Sequence, residues 1–157
     1  MGVASKTGHL FILDRETGAP LIPVEERAVP KSDVPGEAAS PTQPFPAAPR
    51  ALAPTTLKPE EAWGATDEDR AWCWATMSAL RADGFFTPPS LKGTLVVPGN
   101  VGGMAWGGIA HDRLNDLLIM PVNNLAAEVR LIPRDATCAG GLGRLSFTDR
   151  SRNPAFR

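Results

Sequence analysis

Several things are missing from this sequence, and each absence excludes a class of protein. None of its apolar runs approaches the roughly 18 residues of a membrane span, and Met1-Gly2-Val3-Ala4-Ser5-Lys6 lacks the basic and apolar regions of a signal peptide. No export or anchoring segment is therefore expected in the chain. Sixteen basic side chains face seventeen acidic ones, for a net charge of −1, and none of the basic residues forms a block. A nucleic-acid groove needs clustered Lys and Arg, so nucleic acid is excluded as a partner. There are two cysteines, Cys73 and Cys138, and they lie far apart. Buried free thiols are favoured over a disulfide, because free Cys is among the most buried residue types, and one possible pair does not identify a redox compartment. The four soft ligands, His9, Cys73, His111 and Cys138, lack the close spacing of a structural zinc site, so no metal ligands are assigned. No Gly-x-Ser-x-Gly elbow occurs, and Gly99-Asn100-Val101-Gly102-Gly103 fits neither the dinucleotide nor the phosphate-loop pattern.

What is present is an excess of turn formers: sixteen prolines and fifteen glycines in 157 residues, with 43% hydrophobic side chains. That balance favours strands and extended loops over a helical bundle, in one soluble domain or part of a larger one. His9-Leu10-Phe11-Ile12-Leu13 reads as a strand, Asp14 to Gly18 as a tight turn, and Ala19 to Val24 as a second strand kept at a sheet edge by Pro20 and Pro23. Residues 25–58 are proline-rich without a sustained period and read as a long extended connection. A helical insert is expected over 59–83: a short helix from Pro59 to Gly64, then a longer one opened by Thr66 and Asp69 as an approximate capping box. In that longer helix Trp72, Ala75 and Ala79, with Cys73, Met77 and Leu80, form an apolar face read as core packing. Strands are expected over 93–97, 106–111, 117–122 and 125–132, the middle two closed into a hairpin by Asp112 to Asp116.

Few residues suggest chemistry on pattern alone. The carboxylates of Glu25-Glu26, Glu60-Glu61 and Asp67-Glu68-Asp69 sit in loops or first helical turns, where solvation or capping is the expected role. Lys6 directly precedes Thr7-Gly8 and an apolar strand, and on spacing alone it reads as a surface lysine. The glycines of 99–108 surround Trp106 and imply close backbone approach, with sheet packing favoured over a flat ligand.

Beyond single motifs, Ala4-Ser5-Lys6-Thr7-Gly8-His9-Leu10-Phe11-Ile12-Leu13-Asp14-Arg15-Glu16-Thr17-Gly18, Ser40 to Pro46, Phe86-Thr87-Pro88-Pro89-Ser90, Gly93-Thr94-Leu95, Pro98-Gly99-Asn100, Trp106-Gly107-Gly108, Asn123 to Ala126 and Leu131-Ile132-Pro133-Arg134 occur in a characteristic order. Together they resemble the pyrroloquinoline quinone (PQQ)-dependent dehydrogenases, most of all the membrane-bound glucose dehydrogenase branch. The resemblance implies a mainly β chain forming part of an eight-bladed β-propeller of four-stranded blades. It divides the chain into a partial propeller over 1–134, including the loop and the helical insert, and a divergent, flexible tail over 135–157. At about 40 to 45 residues per blade, with the loop and helices discounted, roughly two blades fit.

The resemblance also implies a cofactor, the planar tricarboxylic orthoquinone PQQ, held on the propeller axis with Ca²⁺ or Mg²⁺. Lys6 matches the family lysine that contacts the quinone, and its ammonium can pair with the quinone oxygens. Trp106 and Asn123 are further cofactor-binding candidates. A family asparagine that reaches the cofactor aligns with Pro121, which is a departure from the pattern. The catalytic aspartate, metal ligands and stacking aromatic of the family are expected upstream of Met1, so no catalytic residue is assigned within the chain, which reads as a fragment. In the parent enzyme a base removes the hydroxyl proton of a sugar or alcohol, hydride passes to the quinone, and electrons leave toward ubiquinone or another acceptor at the periplasmic face of the inner membrane. The rival expectation is a catalytically inactive propeller remnant, structural or supplying strands to the remaining blades.

Overall fold

The structure, a computed structural model, describes residues 1–104 and 107–133. It is built mainly from short strands with one α-helix. Strands β1 (Gly2–Ala4) and β2 (Leu10–Ile12) pair antiparallel, with Val3 opposite Phe11. The turn between them is tight: Gly8 N–H donates to Ser5 O at 3.0 Å and Ser5 N–H to His9 O at 2.9 Å. Gly8 has φ +83°, a conformation costly for any residue with a Cβ. The Asp14 to Gly18 turn forms as expected. The Asp14 carboxylate accepts from Thr17 N–H at 2.7 Å and Glu16 N–H at 3.0 Å, and these bonds hold its pKa below the usual range.

The strand expected over 19–24 reduces to a single bridge, Leu13 to Pro20. Pro20 and Pro23 have no N–H to donate, so the ladder stops there. The chain instead starts a new ladder at Val24. Strand β3 (Val24–Ala28) pairs antiparallel over five residues with β4 (Thr42–Pro46), Glu26 facing Pro44. The segment 25–58 thus contains a hairpin-like ladder where its proline content suggested only extended chain. Two-stranded pairing tolerates prolines whose ring nitrogens face away from the partner.

A 3₁₀ turn (Pro59–Glu61) precedes α1 (Asp67–Ala79). The capping box closes in both directions: Asp69 N–H donates to Thr66 Oγ1 and Thr66 N–H to Asp69 Oδ2, each at 3.1 Å. The apolar face of α1 does not enter the core as its periodicity suggested. Met77 is its one buried residue, while Trp72 and Trp74 are 59% and 51% exposed and Trp63 is 80% exposed. The helix packs on its own preceding 3₁₀ turn, Gly64 lying against the Asp69–Arg70 backbone. At its C-terminal end Met77 is buried and the C-cap residue Leu80 approaches Gly93. Cys73 is a half-buried free thiol; Cys138 and the 135–157 tail lie outside the described residues.

Strand β5 (Thr94–Val96) pairs antiparallel with β8 (Ala127–Val129), and Arg81 and Ser90 extend this pair through bridges to Thr94 and Arg130. Strands β6 (Ala110–Asp112) and β7 (Leu117–Ile119) form the expected hairpin, with Asp116 at φ +53° in its turn. Among the described residues every ladder has two strands, so they form neither a four-stranded blade nor a closed ring. Among the described residues the buried hydrophobic side chains are few: Leu10, Ala53, Met77, Leu95 and Met104. A ring cluster of His9, Phe45, Phe85 and Phe86 ties β2 and β4 to the segment after α1.

Candidate functional site: the cleft beneath Lys6

Lys6 sits at the apex of the β1–β2 turn, and its exposed side chain forms part of the wall of a partly open cleft of about 230 Å³. None of the ion pairs among the described residues involves it. Its backbone is held instead, because Gly103 N–H donates to Lys6 O at 2.7 Å. Gly102, at φ +92°, lies so close to the lysine stem that an added Cβ would stand 3.0 Å from Lys6 Cγ. Gly102 and Gly103 therefore serve close approach to the β1–β2 turn and Ala53.

The proline-rich segment supplies the next wall. Leu52 N–H donates to Gly8 O at 2.8 Å, and buried Ala53 wedges between Gly8 and Gly103. A Cβ on Gly103 would lie 2.4 Å from Ala53 Cβ, and one on Gly8 would lie 2.7 Å from it. Two glycines facing one alanine let three chain segments meet with only backbone thickness between them. Immediately after this wedge Thr55 and Thr56 line the cleft.

Phe85 and Phe86 also line the cleft. Phe86 has φ +63°, an outlier for a bulky side chain, and the surrounding structure must hold it there. The hold comes from ring contacts to Phe45 at 5.7 Å and Phe85 at 4.2 Å and from Arg81 just upstream. Arg81 Nε donates to Asp83 Oδ2 at 2.6 Å, a second nitrogen lies 3.4 Å from Asp33 Oδ1, and the third donates to Lys31 O. One planar guanidinium thereby joins the proline-rich segment to the cleft wall.

His9 lies behind the Lys6 turn. Burial, and to a lesser extent the charge of Arg27, hold its pKa below the usual histidine value, so its ring is neutral at pH 7. Asn123 shares a peptide neighbour with Lys6: its N–H donates to Gly103 O at 2.8 Å. Its side-chain oxygen accepts from Leu125 N–H at 3.2 Å, which closes a local turn outside the cleft lining. Trp106 lies outside the described residues. Pro121 packs on Gly107, where an added Cβ would stand 2.4 Å from its Cγ. The structure thus joins Lys6 and Asn123 through Gly103. Thr55, Thr56, Phe85 and Phe86 were not singled out from sequence; the threonines follow no recognisable pattern, whereas Phe86 opens one of the segments that resembled the dehydrogenases.

A family profile describing the β-propeller domain of PQQ-containing glucose, ethanol and alcohol dehydrogenases matches residues 1–149. The chain belongs to this family. The PQQ-dehydrogenase match runs past Arg134, where the recognisable segments ended. Quinoprotein glucose dehydrogenase A of Acinetobacter calcoaceticus is 41% identical over 150 residues, which cover 90% of this chain and 18% of that protein. Quinoprotein glucose dehydrogenase of Escherichia coli (strain K12) is 40% identical over 131 residues, covering 83% and 16%. The glycerol dehydrogenase large subunit of Gluconobacter thailandicus is 36% identical over 152 residues, covering 96% and 20%. The chain thus spans between a sixth and a fifth of the length of these relatives. No solved structure matches it at comparable stringency. Among the described residues no helix is long and apolar enough to cross a membrane.

Proposed function

We propose that this chain supplies part of the PQQ site of a quinoprotein dehydrogenase that oxidises a hydroxyl of a sugar or related alcohol, within a partial β-propeller. The observation that carries this reading is the placement of Lys6. Lys6 stands on a locked turn at a cleft that is also lined by Thr55, Thr56, Asn100 and Phe86. A planar tricarboxylate needs cationic and hydroxyl donors at its rim and flat apolar surface along its faces. The cleft offers both, on one side, with Lys6 as its single cation.

PQQ, when bound, supplies the two-electron acceptor for hydroxyl oxidation. The part of this chain is to hold and polarise it. Lys6 donates toward the quinone oxygens, where an ammonium stabilises developing negative charge. The Thr55 and Thr56 hydroxyls and Asn100 complete the polar rim, and Phe86 excludes water from one edge. Charge on the remaining carboxylates is met by the accompanying Ca²⁺ or Mg²⁺ and by residues of the remaining blades. Among the described residues no group of three or more His, Cys, Asp or Glu is arranged to hold that ion. In this reading Trp106 and Asn123 are further candidates for cofactor contact, and the enzyme works at the periplasmic face of the inner membrane, passing electrons to ubiquinone or another acceptor. The relatives named above are dehydrogenases of glucose and glycerol, which supports a polyhydroxylated substrate.

Titrating the full chain with PQQ and Ca²⁺ while following tryptophan fluorescence tests the proposal. Saturable quenching that weakens at least tenfold in Lys6→Ala is the expected result, the loss of a charge-assisted contact. Equal quenching of both proteins, or none of either, overturns it.

A further inference from the structure

The turn that carries Lys6 is closed by more side-chain bonds than a four-residue turn requires. Ser5 Oγ donates to His9 O at 3.0 Å and accepts from His9 N–H at 3.2 Å. Thr7 Oγ1 lies 2.7 Å from Ser5 Oγ and 3.0 Å from His9 Nδ1. A hydroxyl has one proton to give. Because that of Ser5 goes to the His9 carbonyl, Thr7 donates to Ser5, and Thr7 in turn accepts from His9 Nδ1–H. The bonds then run in one direction, from His9 Nδ1 through Thr7 and Ser5 back to the His9 carbonyl, and they select the Nδ1–H tautomer of a neutral imidazole.

The surroundings of His9 sharpen the question of why a histidine stands there. It is 5% exposed, and the rings of Phe45, Phe85 and Phe11 lie 5.3, 5.4 and 6.4 Å from its own. A hydrocarbon ring would fill such a pocket without the cost of burying a polar group. Phenylalanine lacks both ring nitrogens of His9, and the one with a hydrogen-bond partner among the described residues is Nδ1, bonded to Thr7, which lines the cleft beside Lys6.

We infer that His9, acting through Thr7, is a positioning residue: it locks the Ser5–Gly8 turn so that Lys6 leaves it toward the cleft in one arrangement. The inference rests on the quinone-site reading for its purpose, but its geometry belongs to this chain alone. Lys6 gains from it what a flexible four-carbon side chain lacks, a fixed point of departure.

Three variants separate the chemistry from the packing. His9→Phe keeps an aromatic ring and removes both nitrogens, Thr7→Val keeps the shape and removes the hydroxyl, and His9→Asn restores a donor near the Nδ1 position. Imidazole ¹⁵N shifts report the tautomer, and backbone ¹⁵N relaxation reports the order of the Lys6, Thr7 and Gly8 amides. PQQ with Ca²⁺ is the binding probe, again with the full chain. The expected results are an Nδ1–H tautomer in the unaltered protein, disorder of the turn amides in His9→Phe and Thr7→Val, and about three- to tenfold weaker PQQ binding in each. The double variant should be no worse than either single one, and His9→Asn should recover part of the loss. An Nε2–H tautomer, or turn amides as ordered in both single variants as in the parent, overturns the inference whatever PQQ does. If neither the parent nor Lys6→Ala binds PQQ, the quinone reading fails, while relaxation and tautomer still decide whether His9 locks the turn.

Discussion

The Lys6 turn and helix α1 are both well formed locally, yet they are held in opposite ways. In the turn, Ser5, Thr7 and His9 satisfy one another, while Gly8 and Gly103 receive Ala53 from more than forty residues away in sequence. In α1 the Thr66–Asp69 capping box closes the first turn, but the tryptophans along its length face outward. The first region is specified by long-range contacts that tolerate no additional atom. The second is specified by its own end signals and owes little to the rest of the described chain. Function, in this reading, resides where the packing is non-local, because only there do several segments fix one cation against one wall.

A single methyl group placed at the wedge should therefore be strongly damaging. Gly103→Ala sets a Cβ 2.4 Å from Ala53 Cβ, which has no flexible end to move aside. A loss of about 1–3 kcal/mol is expected, from overpacking, read as a lower midpoint in urea unfolding. Gly18→Ala is the control: it meets nothing within 4 Å, so its cost is confined to the φ of +74°, about 1 kcal/mol. Equal losses at the two positions would show that the wedge is looser than described. Next in size is Arg81→Ala, which removes the guanidinium shared by Asp83, Asp33 and Lys31 O. A loss of about 1–3 kcal/mol is expected, because its partners keep part of their burial. Arg81→Lys should recover less than half of it, since one ammonium does not reproduce the fork.

Much of the local structure was legible in sequence, and the limits have physical causes. Gly18 after Asp14, the Thr66 capping box and the 112–116 hairpin turn are encoded within a few residues, so they could be read directly. The partners of Val24–Ala28 could not, because pairing with Thr42–Pro46 leaves no period in a segment broken by prolines. The periodicity of α1 identified a helix but assigned Trp72 to a core that its position does not supply. Lys6 was recognisable through the segments flanking it. The wedge of Ala53 and the Phe86 wall depend on contacts across the fold, and nothing near Thr55 and Thr56 in sequence marks them.

The buried imidazole gives a smaller, pH-dependent difference between the same two regions. Since the folded-state pKa of His9 is lowered, the unfolded chain binds a proton first as the pH falls. Its contribution is thus fully present above the ordinary histidine value of about 6.5 and declines as the pH drops below that value toward the lower folded one. Carboxylates held below their usual range, such as Asp14, titrate in a more acidic window. Unfolding midpoints measured from pH 7 to pH 5 should therefore fall in the parent chain and flatten in His9→Phe. An unchanged slope in the variant would assign the decline to another group.

The smallest effect should be found on α1. Trp72 is 59% exposed, so Trp72→Ala removes little buried surface and should alter stability by no more than about 0.5 kcal/mol. Met77, 6% exposed on the same helix, provides the contrast, and Met77→Ala should cost about 2 kcal/mol or more. The pair measures how far the body of the protein reaches along the helix. A near-zero cost at Trp72 with a large one at Met77 places that limit at the last turn of α1. A cost at Trp72 approaching that at Met77 would mean that the tryptophan face is covered in solution, and α1 would then join the Lys6 turn as a region held by long-range contacts.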